Sequence, residues 1–241
     1  IANNVLAHVA DLPGFVAGLA TLLRPGGRLL CEFPYLGDLL HNAEFDTIYH
    51  EHLCYFSLLA VQRLFARHGL HVTSVARLAR HGGSLRVVAS KTAPAVQDAA
   101  VTALLAEERL AGFHQPAAYA PFVARTFAIR GELQGFLGDC RARGATVAAY
   151  GAAAKGSMLL QFCGVTREQL AFVADRSPHK QGRCMPGNHV PIVAPEQVLA
   201  AQPDYLLLLA WNFAAEIVAQ QAEYRARGGR FVVPIPGVRV L

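Results

Sequence analysis

Cysteine is scarce and scattered in this chain. Its five cysteines, Cys31, Cys54, Cys140, Cys163 and Cys184, form no C-x-x-C pair. That spacing gives neither a zinc cage nor a disulfide framework, and reads as small buried residues of a reducing, cytoplasmic protein. Charge is sparse too, at 16% of residues, and the net charge of +5 lies on scattered arginines without a basic run. The electrostatic footprint of nucleic-acid binding is therefore missing. A broad positive potential suits an anionic small substrate such as a nucleotide. No charge-free apolar run reaches the ~20 residues of a membrane helix, so a spanning segment is not expected. No basic stretch followed by an apolar one marks a signal peptide. The chain opens on Ile1, inside an element, and reads as N-terminally truncated.

What remains is apolar residue, 53% of the chain, enough for one large domain or two ordinary ones. "ANNVLAHVA" (2–10) reads as the end of a buried strand running into a polar loop. Asp11 followed by Pro13 predicts a helix start. Phe15, Leu19, Leu22 and Leu23 recur at helical spacing until "RPGG" stops them. "RLLCEFPY" reads as a strand ending at Pro34. Ser57 is placed to cap a helix carrying Val61, Leu64, Phe65 and His68 on one face, with Gly69 as its stop. "HVTSVARL" and "GSLRVVAS", separated by "ARHGG", predict a hairpin. The order describes the second half of an α/β sheet whose last strands pair antiparallel.

From about Lys91 to Gly144 the pattern is helical, with a break near His114–Pro116. A second α/β segment begins at "TVAAYGAAAKGSMLL". "LAFVAD", "YLLLLAW" and "RFVVPIP" are further strand candidates, alternating with helical runs at 195–201 and 213–227. This predicts a parallel, doubly wound sheet. The expected boundaries are 1–91 for a first α/β domain, 92–144 for a helical connector and 145–241 for a Rossmann-like domain.

Chemistry concentrates in "EFDTIYHEHLCYFS", residues 44–57. Tyr49, His50, Glu51 and His52 stand side by side, a set suited to general acid/base work because histidine titrates near neutrality. The H-E-H spacing differs from the helical H-E-x-x-H that places two imidazoles on one metal. A solvated polar loop is the bland alternative, and residue types alone leave the choice open. His8 follows the first strand, where loops of open α/β sheets line the ligand crevice, although a lone histidine there is commonly structural. "YGAAAKG" (150–156) is a glycine turn between strand and helix, able to bring backbone N–H groups to a phosphate, with Lys155 adding charge. It is neither a complete dinucleotide fingerprint nor a Walker A loop. Asp175 ends the next strand, where a ribose-binding acid would sit.

"ANNVLAHVADL", "LRPGGRLLCEFPYLGDLL", "EFDTIYHEHLCYFS" and "HGGSLRV" together resemble, in order and spacing, S-adenosylmethionine-dependent sugar C-methyltransferases, in particular the nucleotide-sugar C-3′-methyltransferases of deoxysugar pathways. "YGAAAKGSMLL", "VADRSPHKQGRCMPGNHVPI", "PDYLLLLAWNF" and "GGRFVVPIPGVRV" are similar to that family's C-terminal domain. The resemblance implies half of a class I methyltransferase sheet followed by a second Rossmann-like domain.

It implies His52 as the base that removes the proton beside the ketone of a nucleotide-linked keto sugar, with Glu51, Tyr49 and His8 around it. Asn3 and Asn4 are placed near the methyl donor, while Lys155, Asp175 and Trp211 are placed on the nucleotide half of the substrate. His50 receives no role. The family's zinc-binding cysteines and glycine-rich donor loop are missing from these residues, so zinc is expected only upstream, and this piece alone is expected to be inactive. Two rival readings are a non-catalytic nucleotide-sugar binding module and an NAD-dependent oxidoreductase built on the second sheet. The missing second glycine of the fingerprint argues against the oxidoreductase.

Overall fold

Asp11 starts the first helix as its place before Pro13 predicts: its Oδ1 accepts from Gly14 N at 3.0 Å. The computed structural model describes residues 1–80 and 82–241, and His81, in the turn expected over 79–83, lies outside them. The chain divides into two units, residues 1–42 with 50–123 and residues 43–49 with 124–241.

In the first unit, β1 (Ala2–Asn3) is followed by a 3-10 turn at Leu6–His8, α1 (Leu12–Leu22), β2 (Arg28–Pro34) and α2 (Leu36–His41). After the loop come α3 (Leu58–Ala66), β3 (His71–Leu78), β4 (Ser84–Ser90) and α4 (Ala99–Leu110). The sheet order is β1-β2-β4-β3. β1 pairs parallel with β2, and the β3–β4 hairpin inserts β4 antiparallel against β2. The expected antiparallel end of the sheet is present. Cys31, Phe33, Leu85, Val87, Val61 and Phe65 are fully buried in its core. Ser57 caps α3 as predicted, its Oγ accepting from Ala60 N at 3.1 Å. Of the expected α1 stripe, Phe15, Leu19 and Leu23 pack against this core beside the fully buried Val16, while Leu22, the last of the helix, is exposed.

Of the helical stretch 92–144, α4 lies in the first unit, and α5 (Ala120–Ala142) runs from its end into the second. The second unit then carries β5 (Val147–Tyr150), α6 (Ala154–Phe162), β6 (Val173–Ala174), β7 (Ile192–Val193), α7 (Glu196–Ala201) and β8 (Tyr205–Leu208). It closes with α8 (Ala214–Gln220), α9 (Ala222–Ala226), β9 (Arg230–Val233) and β10 (Arg239–Val240). The sheet runs β10-β9-β8-β5-β6-β7, parallel throughout except for β10. β5 and β8 are buried along their whole length, which is why "VAAY" and "YLLL" read as unbroken apolar runs. Among the described residues, no helix is long and apolar enough to cross a membrane.

Candidate active site

The loop from Tyr49 to Phe56 has no regular structure, yet its backbone is tied at several points. Leu53 N donates to Ala7 O at 2.8 Å, joining the loop to the turn that follows β1. Phe56 forms a parallel bridge with Tyr35 at the end of β2, and its carbonyl accepts from Leu36 N at 2.9 Å. Beyond Ser57, the two oxygens of the buried Glu108 on α4 accept from Leu58 N and Leu59 N, each at 2.7 Å. These amides belong to the uncompensated first turn of α3, so a carboxylate there completes the helix start. Burial raises the Glu108 carboxyl, against the lowering effect of these backbone bonds and the Tyr35 hydroxyl. Burial and the neighbouring Glu108 hold the Tyr35 phenol far above its ordinary range.

The Leu53–Ala7 tether brings two histidines together. The His8 and His52 rings meet edge to face, with centroids 5.1 Å apart. His8 is exposed and His52 half-buried, so the pair opens to solvent on one side. The Tyr55 ring stands 6.3 Å from His52 on another side. Glu51 is exposed, with Oε1 3.8 Å from Nε2 of His50. Asn3 and Asn4 are exposed at the C-terminal end of β1, and Asn4 is held in the left-handed region (φ 52°) by its N–H bond to Glu32 O. Loops at this end of parallel strands are where open α/β sheets bind ligands. Two imidazoles and two exposed amides there offer proton acceptors together with polar contacts for a small molecule. Among the described residues, no three His, Cys, Asp or Glu side chains converge as a metal site.

Tyr49 ends the segment 43–49 that belongs to the second unit. This segment folds as a 3-10 turn, Phe45–Thr47, closed by Thr47 Oγ1 donating to Glu44 O at 2.8 Å. Phe45 packs on Phe162 of α6, with ring centroids 5.0 Å apart. Asp46 is fully buried and accepts from Trp211 Nε1 at 2.7 Å through Oδ2. Lys155 Nζ lies 3.8 Å from the same oxygen and 4.3 Å from the centroid of the Trp211 ring. Lys155 Nζ and Asp46 Oδ1 are buried without a hydrogen-bond partner. Burial pushes the Asp46 carboxyl up to about 6, against the Lys155 charge and the indole N–H that draw it down. Lys155 and Trp211 are thus turned onto Asp46.

Asp175 takes a different place. It follows β6 beside the Gly151 turn, and its oxygens accept from Ala152 N at 2.7 Å and Ser177 N at 2.8 Å. Gly151 sits at φ 101°, where a Cβ would stand 2.8 Å from that of Ala210, so the turn requires glycine. Tyr150, Gly151, Ala153, Asp175 and Phe213 line a small cavity of ≈ 250 Å³ at the switch point between β5 and β8.

Comparison with known proteins bears on the chemistry. Residues 79–236 match the description "C-methyltransferase C-terminal domain", and residues 1–75 match "Methyltransferase domain". The C-methyltransferase NovU of Streptomyces niveus is 44% identical over 243 residues, covering 99% of this chain and 57% of that protein. This chain belongs to the S-adenosylmethionine-dependent C-methyltransferase family. It spans a little over half the length of that curated relative.

The residues that sequence reading passed over are Asp46 and Glu108. Asp46 lay within the quoted run but was masked by the histidines after it. A single acid between Phe45 and Thr47, three positions before Tyr49, gave the available hint. Glu108 is one of two adjacent acids on α4, and only the fold distinguishes it from the exposed Glu107.

Proposed function

We propose that the whole protein transfers a methyl group to carbon on a nucleotide-linked keto sugar, with His52 as the general base. The observation that carries this reading is the edge-to-face contact of His52 with His8, 5.1 Å between centroids, at the ligand-binding end of β1.

A ring nitrogen of His52 takes the proton from the carbon beside the ketone. The C–H electron pair enters the C–C bond, and the carbonyl π electrons move onto oxygen, giving an enolate. His8 donates a hydrogen bond toward that oxygen or holds the sugar in register. Such donation is worth most when it is aimed in advance at developing charge. Tyr49 and Glu51 precede the base in sequence, with Glu51 adding negative charge near the imidazolium and Tyr49 offering a hydroxyl donor. S-adenosylmethionine, when bound, supplies a methyl group on a positively charged sulfur for the enolate carbon to take. C3, next to a C4 ketone, is the carbon that the resemblance to nucleotide-sugar C-3′-methyltransferases favours. In the second unit, the crevice at Gly151 and Asp175 is assigned to the nucleotide half of the substrate.

The test is His52→Ala in the full-length enzyme. Loss of a placed base lowers methylation by roughly 10²–10⁴, while the affinity for the sugar nucleotide persists. Unchanged methylation removes His52 from this role.

A further inference from the structure

The buried cluster on the segment just before the base has no part in the chemistry above. Residues 43–49 lie in sequence between two portions of the first unit, yet they are built into the second. Tyr49 is three residues from His52, and Asp46 six. Six residues span at most about 20 Å, so the chain itself keeps Asp46 within that distance of His52.

We infer that Asp46, held by Trp211 and Lys155, is a positioning residue for His52. The inference rests on the reading of His52 as the base. Phe45 against Phe162 already supplies apolar anchorage for this segment. Ring packing of that kind tolerates sliding, whereas the 2.7 Å bond from Trp211 Nε1 to Asp46 Oδ2 has one direction. Buried charge is a poor source of stability, and its best-attested use is to set register. Lys155 fits the same role. Its ammonium lies over the indole and beside the carboxylate without a hydrogen bond of its own, so it contributes field rather than geometry. The Thr47–Glu44 bond closes the turn on which Asp46 sits.

Trp211→Phe removes the donor and keeps the ring beneath Lys155. Asp46→Asn keeps an acceptor for the indole and removes the charge. Both are made in the full-length enzyme and assayed with a nucleotide-linked 4-keto sugar as probe, alone and together with His52→Ala. Misplacement of a reacting group by ~1 Å costs up to about a hundredfold. We expect kcat to fall about tenfold or more in Trp211→Phe and by a smaller factor in Asp46→Asn, with KM within about twofold. In the His52→Ala background, Trp211→Phe should add no further loss, because its effect runs through that imidazole.

A rise in KM at constant kcat would make the cluster a substrate contact and overturn the inference. Multiplicative losses in the double variant would overturn it too. If Trp211→Phe does not fold, the same criteria apply to Asp46→Asn alone. Methylation lost in His52→Ala but untouched in both cluster variants sinks the positioning role and leaves the base standing. Methylation untouched in His52→Ala sinks the base itself.

Discussion

Glu108 and Leu58 stand fifty residues apart in sequence and 2.7 Å apart in space, a carboxylate oxygen accepting from a backbone N–H. The other oxygen takes Leu59 N at the same distance. One buried side chain therefore closes the far end of the loop that carries His52. Glutamine at 108 offers one acceptor where two amides donate, and its NH₂ group confronts the second N–H. Glu108→Gln should cost about 2–3 kcal/mol, read as a lower denaturant midpoint with unchanged slope.

His8 is exposed, so its removal separates chemistry from folding. His8→Ala should leave stability within about 0.5 kcal/mol. Its methylation rate should fall by roughly ten- to a hundredfold if the ring donates to the enolate oxygen, somewhat less than the loss of one oxyanion donor elsewhere. Thermal melts and steady-state rates on the same preparation check both halves.

Asp46 carries a pH signature. Its carboxyl stays protonated in the fold until about pH 6, while the unfolded chain releases that proton near the ordinary value of about 3.9. The folded state therefore binds the proton more tightly. Stability from this group is fully present below pH ~4 and is lost as pH rises toward 6, about 3 kcal/mol in all. Asp46→Asn should flatten that part of the stability curve. Trp211 is the one tryptophan of this chain, so its indole N–H resonance reports the titration directly. The resonance should move with a midpoint near the Asp46 value of about 6 and cease to titrate in the variant.

Gly151→Ala places a methyl group 2.8 Å from the Ala210 Cβ at a backbone angle of φ 101°. Strain at such an angle costs on the order of 1–3 kcal/mol before the clash is counted. The second unit should melt earlier. Ala152 N should also lose its bond to Asp175, seen as faster amide exchange at that position.

Much of the architecture was legible because it follows local rules. Asp11 and Ser57 act as caps where their spacing to the next apolar residues places them. The unbroken "VAAY" and "YLLL" runs are central parallel strands, buried on both faces. The two-residue strands β7 and β10 were not among the expected strands. Leu22 belongs to the apolar pattern yet faces water, because spacing does not reveal where a helix outruns its neighbours. The approach of His8 to His52 was expected from the resemblance, and the backbone bond that makes it, Leu53 to Ala7, has no side-chain signature. Lys155 stood out in a glycine turn, and Trp211 was singled out through the resemblance of the C-terminal stretches. That they close on Asp46, more than a hundred positions earlier, is a tertiary fact beyond any window of sequence.

The Leu53–Ala7 bond uses main-chain atoms alone, and the Leu53 side chain is 53% exposed. Nearly any amino acid at 53 preserves it, so this position is free to drift in composition, to bear a spectroscopic label or to accept solubilising charge, without disturbing the histidine before it. Proline is the exception, because it brings no N–H to the partner carbonyl.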